Sequence, residues 1–277
     1  MQISIKDVSY VYSDGFKALN NINIDIEKGE RVAILGPNGA GKSTLFNMLN
    51  GIITPSCGIV EINGLSTLNK KNLNLVRETV GMVFQDSDDQ LFNSSVMQEI
   101  AYGLMNMKLQ EKEIEERTKW ALKIVDMEGT EKRSPHNLSG GQKKKIALAS
   151  VLAMRPQVLV LDEPTVSLDP RGTIKLVKLL NEINKEMGIT IIFSTHDMDI
   201  VPLLADKIYV LDEGRVTLGG STNEVFNNKN MLRNINLRLP RAAHLSEILQ
   251  KDGYLEFEKL PLTLGAVRRE IENFRRD

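Results

Sequence analysis

The sequence of 277 residues contains one cysteine, one tryptophan and three histidines, and its aromatic content is only 5%. A single thiol, Cys57, cannot form a disulfide within the chain, which favours a reducing compartment. The formal net charge of −1 gives no electrostatic basis for binding nucleic acid or an anionic membrane. The first residues show no secretory signal, and the apolar run 147–154 ends at Arg155, too short to cross a bilayer. We therefore expect a cytoplasmic protein that reaches a membrane only through another subunit.

What the sequence does contain is the pattern of a soluble α/β protein. Unbroken apolar runs at 32–35, 158–161, 189–193 and 208–211 predict strands covered on both faces. Helical patterns between them predict a parallel sheet, with a ligand site at the carboxyl ends of its strands. Ile22, Ile24 and Ile26 alternate with polar residues, which indicates an antiparallel piece with one wet face. From about residue 94 to 155 the pattern is helical, and we expect a helical subdomain inserted into the core.

The strongest local motif follows the first of these buried strands and opens a helix. It has the spacing G-x-x-x-x-G-K-[ST], and its residues are Gly36, Pro37, Asn38, Gly39, Ala40, Gly41, Lys42, Ser43 and Thr44. Glycines allow successive backbone amides to turn around phosphate oxygens, and the helix N-terminus adds partial positive charge. Lys42 can reach the outer phosphates, and the Ser43 hydroxyl suits Mg²⁺. The motif predicts a binding site for a nucleoside triphosphate.

The buried strand 158–161 ends in two carboxylates. Asp162 follows the strand directly, where it would lie beside the phosphate-binding loop and hold Mg²⁺ through water. Glu163 comes next and is placed to orient or deprotonate an attacking water. Without a phosphate-binding loop elsewhere in the chain, these residues would be an ordinary surface turn. Together, the two motifs predict hydrolysis of the triphosphate.

A third motif lies in the helical segment, just before an expected helix over 143–153. Its residues are Leu138, Ser139, Gly140, Gly141 and Gln142. Alone, it is a second glycine-containing helix N-terminus that is able to receive a phosphate. One phosphate-binding loop already accounts for one nucleotide in one chain. A second anion site makes sense if it serves the nucleotide of another copy.

Together these motifs resemble the ATP-binding-cassette (ABC) ATPases, whose signature matches residues 138–142, and the resemblance covers about residues 1–230. It implies the P-loop ABC fold, a mostly parallel sheet flanked by helices, with an antiparallel β piece, a helical subdomain at about 90–155 and a small C-terminal appendage. It further implies that Tyr12 stacks on adenine and that His196 is the switch histidine at the γ-phosphate. Gln85 matches the glutamine loop, which senses the γ-phosphate, contacts the metal and links to the membrane partner. Asp169 matches the family's D-loop.

A narrower resemblance rests on three weaker signals. The segment 84–92, the segment 196–206, and the tail positions 239–240 and 261–265 look like energy-coupling-factor and cobalt-import ATPases. This resemblance implies an importer subunit on the cytoplasmic face of the membrane. Its implied partners are a second ABC ATPase, identical or related, a membrane coupling subunit and a substrate-capture subunit. The cargo would be a transition-metal ion, cobalt first, or a vitamin.

The resemblance also implies a mechanism. Two cassettes face each other head to tail and enclose ATP and Mg²⁺ between them. Ser139, Gly140 and Gly141 of the other subunit close over the γ-phosphate, and closure and opening supply the mechanical stroke. The catalytic residues are then Lys42, Gln85, Glu163 and His196.

The tail, 231–277, lies beyond the α/β pattern. Its residue pattern predicts an amphipathic helix. The apolar face consists of Leu264, Val267, Ile271 and Phe274. The basic residues elsewhere on the helix are Arg268, Arg269, Arg275 and Arg276. Two interpretations stay open. The helix packs on its own domain, or the appendage pairs two copies or docks a partner.

Two other functions compete with transport. A soluble ABC ATPase acting in DNA repair, translation or cluster assembly is disfavoured, because the chain has neither the long coiled coil usual for the first nor the tandem cassettes usual for the second. A catalytically silent adaptor would be expected to lose Lys42, Glu163 or His196, and all three are present. The sequence departs from the family at 143–145 and at 166–167. Neither position has an assigned catalytic role, so we expect active sites.

Overall fold

Two sheets are built from the ten strands that the computed structural model contains within residues 1–274, the part of the chain that it describes. The strands are β1 (Ile3–Val11), β2 (Lys17–Ile26), β3 (Arg31–Leu35), β4 (Cys57–Ile62), β5 (Leu65–Ser66), β6 (Val80–Val83), β7 (Val158–Leu161), β8 (Thr190–Ser194), β9 (Lys207–Asp212) and β10 (Arg215–Ser221).

The helices follow the sheets in two groups. Those before β8 are α1 (Lys42–Leu49), α2 (Leu73–Thr79), α3 (Val96–Asn106), α4 (Glu111–Ile124), α5 (Gly140–Ala153) and α6 (Pro170–Met187). Those after it are α7 (Val201–Leu204), α8 (Thr222–Asn227), α9 (Lys229–Asn234), α10 (Arg241–Lys251) and α11 (Leu264–Phe274). Within the described residues, no helix is both long and apolar enough to cross a membrane.

The larger sheet has the strand order β10-β9-β3-β8-β7-β6. β9, β3, β8, β7 and β6 are parallel to their neighbours, and only β10 pairs in the antiparallel direction. Their side chains are almost all buried, because helices and the second sheet cover both faces. The parallel sheet predicted from the apolar runs is therefore confirmed, and it places the ends of β3, β7 and β8 side by side.

The smaller sheet is antiparallel, with the order β2-β1-β4-β5. On β2, Ile22, Ile24 and Ile26 are buried, while Asn21, Asn23 and Asp25 between them are exposed. This confirms the antiparallel piece with one wet face. Between β6 and β7 the chain forms α3, α4 and α5 and no strand, which confirms the inserted helical segment.

The tail is attached to the main core rather than separate from it. Leu237, Leu239, Leu260 and Leu262 belong to the same apolar cluster as the larger sheet and the helical segment. The expected amphipathic helix is α11, but among its apolar residues only Val267 is buried, whereas Leu264 and Phe274 are 73% and 61% exposed. Arg275 and Arg276, assigned to its basic side, lie outside the described residues.

Candidate functional site

The loop between β3 and α1 requires glycine at two positions. Gly36 and Gly41 have φ of +150° and +100°, and a Cβ added to them would lie 2.2 Å from the Leu211 carbonyl oxygen and 2.6 Å from that of Ala18. Gly41 is the N-cap of α1 and provides no side-chain cap hydrogen bond. The first amides of α1 are therefore available to an anion, and the helix dipole adds to their attraction.

The Lys42 side chain lies against its own loop. Its ammonium donates hydrogen bonds to the carbonyl oxygens of Gly36 at 2.7 Å and Pro37 at 2.9 Å. Burial lowers the pKa of Lys42, while the nearby Glu163 and Asp162 carboxylates act in the opposite direction. Because an ammonium has three donors, one remains for a phosphate oxygen.

The Asp162 carboxylate connects α1 to β8. Its Oδ2 accepts a 2.6 Å hydrogen bond from the Ser43 hydroxyl, and its Oδ1 accepts one of 2.6 Å from the Ser194 hydroxyl. β7 and β8 are parallel neighbours, so Asp162 and Ser194 meet at one edge of the sheet. Hydroxyl and carboxylate oxygens are ligands of the kind that Mg²⁺ prefers. Ser43 and Asp162 therefore fit the predicted magnesium site.

The Glu163 carboxyl group is buried and held from one side. Its backbone has a φ of 48°, in the left-handed region, and its N–H donates to the Ser194 hydroxyl oxygen at 3.0 Å. Oε2 accepts a 3.1 Å bond from the backbone N–H of His196. Oε1 lies 3.2 Å from Nε2 of His196 but accepts no hydrogen bond from the described residues. Burial raises the pKa of Glu163, partly offset by His196 and Lys42. The Oε1 atom of Glu163 can therefore accept a proton from a water molecule.

A cavity of about 360 Å³ collects most of the predicted nucleotide residues. It is lined by Tyr12, Phe16, Ala18, Asn38, Gly39, Ala40, Gly41, Lys42, Ser43, Thr44, Gln85, Asp162, Glu163 and His196. Gly36 and Pro37 lie outside this lining, where their carbonyl groups hold Lys42. The cavity joins a phosphate-binding loop, two carboxylates and a histidine, which is the set of groups that phosphoryl transfer to water needs.

Two aromatic rings line the same cavity. The ring of Tyr12 lies 6.5 Å from that of Phe16, with an angle of 22° between their planes. The Tyr12 hydroxyl lies 2.9 Å from Oγ1 of Thr44, within hydrogen-bond distance. Both rings are more than one-third exposed, so a flat base could contact them. The role of Tyr12 in stacking on adenine stays a prediction, and Phe16 is a second candidate for it.

The signature residues lie away from this cavity. Ser139 is the N-cap of α5 and forms a capping box with Gln142, and Asp169 caps α6 by accepting a 2.6 Å bond from the Gly172 amide. Gly140 lines a neighbouring cavity of about 660 Å³, together with Ser43, Gln85, Asp162 and Ser167 among others. Ser139, Gly141, Gln142 and Asp169 line neither cavity. Their expected use by a second copy stays a prediction.

Sequence reasoning missed two groups of the site. Ser194 lies two residues before His196. It is the polar residue that directly follows the apolar run 189–193, and this position could have identified it as a site residue. Phe16 follows Tyr12 by four residues across a turn, where the backbone N–H of Tyr12 bonds to the Phe16 carbonyl oxygen at 2.9 Å. Nothing in the local sequence distinguishes that aromatic residue from an ordinary exposed one.

Comparison with known protein families and sequences agrees with this geometry. The family described as ABC transporter matches residues 19–166. A putative ABC transporter ATP-binding protein of Clostridium acetobutylicum is 74% identical over 99% of this chain and 98% of its own length. An energy-coupling factor transporter ATP-binding protein, EcfA, of Methanococcus maripaludis is 53% identical over 98% of both chains.

Solved structures give the same result. CbiO1 of Clostridium perfringens, described as part of the ABC transporter complex cbiONQ, is 50% identical with a TM-score of 0.75, over 88% of this chain and 98% of its own. A dimeric ATP-binding cassette in a post-hydrolysis state, bound to ADP and Pi, is 30% identical with a TM-score of 0.74, over 79% of this chain and 98% of its own.

Proposed function

Because the chain belongs to the ABC transporter family of ATP-binding proteins, we propose that it powers import through an energy-coupling-factor complex at the cytoplasmic face of a membrane. It is an ABC ATPase of the energy-coupling-factor subgroup. The proposed cargo is a transition-metal ion, cobalt first, with a vitamin as the alternative. The main observation in favour of hydrolysis is the position of Glu163, which lines the cavity of the phosphate-binding loop. Its buried Oε1 accepts no hydrogen bond from the described residues.

ATP occupies the 360 Å³ cavity in this proposal. The loop 38–44 and the ammonium of Lys42 bind the β- and γ-phosphates, and the rings of Tyr12 and Phe16 contact the base. Ser43, Asp162 and Gln85 would hold Mg²⁺, and the ion would supply positive charge to the phosphate oxygens. The short Ser43–Asp162 contact supports this, because it brings two oxygen ligands together at the start of α1.

Hydrolysis then follows from the position of Glu163. Its Oε1 accepts a proton from water while the water oxygen bonds to the γ-phosphorus, and the bond to the β–γ bridging oxygen breaks to give ADP and phosphate. The backbone N–H of His196 donates to Oε2, and Nε2 of His196 lies 3.2 Å from Oε1. The rigid hold on Glu163 limits the reorganisation needed at the moment of reaction.

A second ATPase subunit completes each site. Ser139, Gly140, Gly141 and Gln142 begin α5 outside the nucleotide cavity of their own chain, so they are available to the nucleotide of a facing copy. The dimeric state of the cassette bound to ADP and Pi supports this arrangement.

An exposed apolar patch supports the membrane partner. Phe92 and Tyr102 meet edge to face at 4.9 Å, and Met97 and Met105 are exposed on α3, the helix that also contains Tyr102. Groups of exposed apolar side chains are typical of interaction surfaces. The patch, defined by Phe92, Met97, Tyr102 and Met105, follows directly on the segment of Gln85. We propose that a cytoplasmic segment of the membrane coupling subunit docks on it.

The test is affinity capture of the tagged chain from detergent-solubilised native membranes, with identification of the bound proteins. We expect a polytopic membrane subunit and a capture subunit, whose identity names the cargo. The double variant Phe92→Ser/Tyr102→Ser should lose both, while Leu75→Ser, which removes an exposed apolar residue of α2, should retain them. Capture of only ribosomal or other soluble proteins would contradict the transport function and leave the ATPase.

A further inference from the structure

Lys144 is a buried cation in the second turn of α5, two residues after the signature segment. Its side chain is only 5% exposed, and its ammonium donates hydrogen bonds to the carbonyl oxygens of Phe84 at 3.2 Å and Gln85 at 2.7 Å. These carbonyl groups come directly after β6 ends at Val83, where the strand ladder no longer supplies partners. Lys144 therefore binds the main chain of the segment that contains Gln85.

Burial of this ammonium is unfavourable for stability. No carboxylate of the described residues lies within 4.0 Å of its nitrogen, and burial lowers the pKa of Lys144 despite the more distant Asp162, Asp86 and Glu163. The described structure compensates this cost with the two hydrogen bonds to the carbonyl oxygens of Phe84 and Gln85. The contribution of Lys144 to stability is therefore concentrated at the segment that contains Gln85.

Further side-chain contacts connect the segment that contains Gln85 to helix α5. The segment 84–90, which we call the glutamine loop, is bound by Lys143 through a 2.6 Å ion pair with Asp88. Gln90 donates to the carbonyl oxygen of Ala147 at 3.2 Å and accepts from the amide of Phe84 at 3.1 Å. Among the described residues, Lys143, Lys144 and Ala147 of α5 thus contact the glutamine loop through polar groups. Of these, Lys144 is the residue that binds the main chain of Gln85.

We propose that Lys144 is a positioning residue that couples Gln85 in the nucleotide cavity to helix α5. Gln85 lines the cavity with Ser43 and Asp162, and α5 begins with the signature residues. A change in the position of Gln85 is therefore transmitted to the helix that the chain presents to a second copy. This inference rests on the proposed role of Gln85 at the γ-phosphate and Mg²⁺.

The experiment compares purified wild type with Lys144→Met, which keeps the volume and removes the donors, and Lys144→Arg, which restores them. Lys119→Met is the matched control, because Lys119 is exposed on α4 and, within residues 1–274, pairs only with the exposed Glu115. Four quantities are measured: the ATPase kcat and KM, the Mg²⁺ concentration at half-maximal rate, the melting temperature, and amide hydrogen exchange of residues 84–91.

We expect Lys144→Met to lose roughly 10-fold in kcat and to need more Mg²⁺, with KM for ATP little changed. Its melting temperature should change little, because relief of the desolvation cost offsets the two lost hydrogen bonds, whereas the glutamine-loop amides should exchange faster. Lys144→Arg should recover most of the rate, and Lys119→Met should match wild type in kcat, Mg²⁺ requirement and loop exchange. In a Gln85→Ala background, Lys144→Met should have no further effect on kcat.

Wild-type kcat or unchanged loop exchange in Lys144→Met would overturn the proposal, as would additive effects of Lys144→Met and Gln85→Ala. A Gln85→Ala variant with wild-type kcat would instead refute the proposed role of Gln85, and loop exchange would still decide whether Lys144 positions the loop. These measurements use the purified chain without a membrane subunit. Their result therefore does not depend on whether affinity capture from membranes finds a transporter partner.

Discussion

Ser194 donates a 2.6 Å hydrogen bond to Oδ1 of Asp162, the carboxylate that also receives the Ser43 hydroxyl. The same Ser194 oxygen accepts the backbone N–H of Glu163. One fully buried hydroxyl therefore orients a proposed metal ligand and a proposed base, and it does so from the neighbouring strand. We expect Ser194→Ala to lower kcat by about 10-fold and to raise the Mg²⁺ requirement, since removal of such supporting groups typically reduces activity by one to two orders of magnitude. Ser150→Ala, which removes a hydroxyl that donates to the Ala147 carbonyl oxygen within α5, is the control for a Mg²⁺ titration of the rate.

The aromatic side of the cavity predicts an effect on nucleotide affinity. Tyr12→Ala should weaken ATP binding about 10-fold, because stacking of a base on an aromatic ring contributes about 1–3 kcal/mol. Tyr12→Phe keeps the ring and loses only the contact with Thr44, so it should bind nearly as wild type. Fluorescent-nucleotide titration measures both, and equal weakening in the two variants would assign the effect to the hydroxyl.

The buried Glu163 predicts a pH dependence of the rate. A base must be deprotonated to accept a proton, and burial raises the pKa of Glu163 above its ordinary value of 4.5. Turnover should therefore fall as the pH decreases through that raised value. A kcat–pH profile with its acidic midpoint at or below 4.5 would contradict the assignment.

The same shift predicts a change in stability. Because the folded chain holds the Glu163 proton more tightly than the unfolded chain, stability decreases as the pH rises through the folded pKa. Glu163→Gln should then melt at a higher temperature than wild type at pH 8, and the difference should shrink as the pH falls toward 4.5. Glu115→Gln is the control with the opposite sign, because Lys119 lowers the pKa of the exposed Glu115. Melting curves from pH 4 to pH 8 compare the two variants.

Local spacing allowed the core of the site to be predicted from the sequence. The glycines at 36 and 41, together with Lys42 and Ser43, lie in one uninterrupted motif between a buried strand and a helix, and Asp162 and Glu163 directly follow another buried strand. Tyr12, Gln85 and His196 are far from that motif in the chain, so only the family resemblance could assign them. The fold confirms the parallel sheet, and the structure places all three beside the loop.

Tertiary packing decided what the sequence could not predict. Lys144 lies within three consecutive lysines, which resemble a solvated surface, yet it is buried because the glutamine loop covers it. Gly81 interrupts the apolar run of β6 in the sequence, and only the packing shows why glycine is needed there. A Cβ at this position would come within 2.3 Å of the Val151 side chain on α5. The apolar face of α11 was expected from periodicity, but neighbouring residues bury only Val267 on it.

The most direct measurement is ATP binding and hydrolysis by purified Glu163→Gln beside wild type. Glutamine keeps the shape of the side chain and the contact with the His196 amide, but it cannot accept the proton of the attacking water. We expect wild type to hydrolyse ATP with Mg²⁺, and the variant to bind ATP with similar affinity while its turnover falls by at least about 100-fold. A Glu163→Gln variant that hydrolyses ATP at the wild-type rate would rule out Glu163 as the base and contradict the mechanism derived from this site.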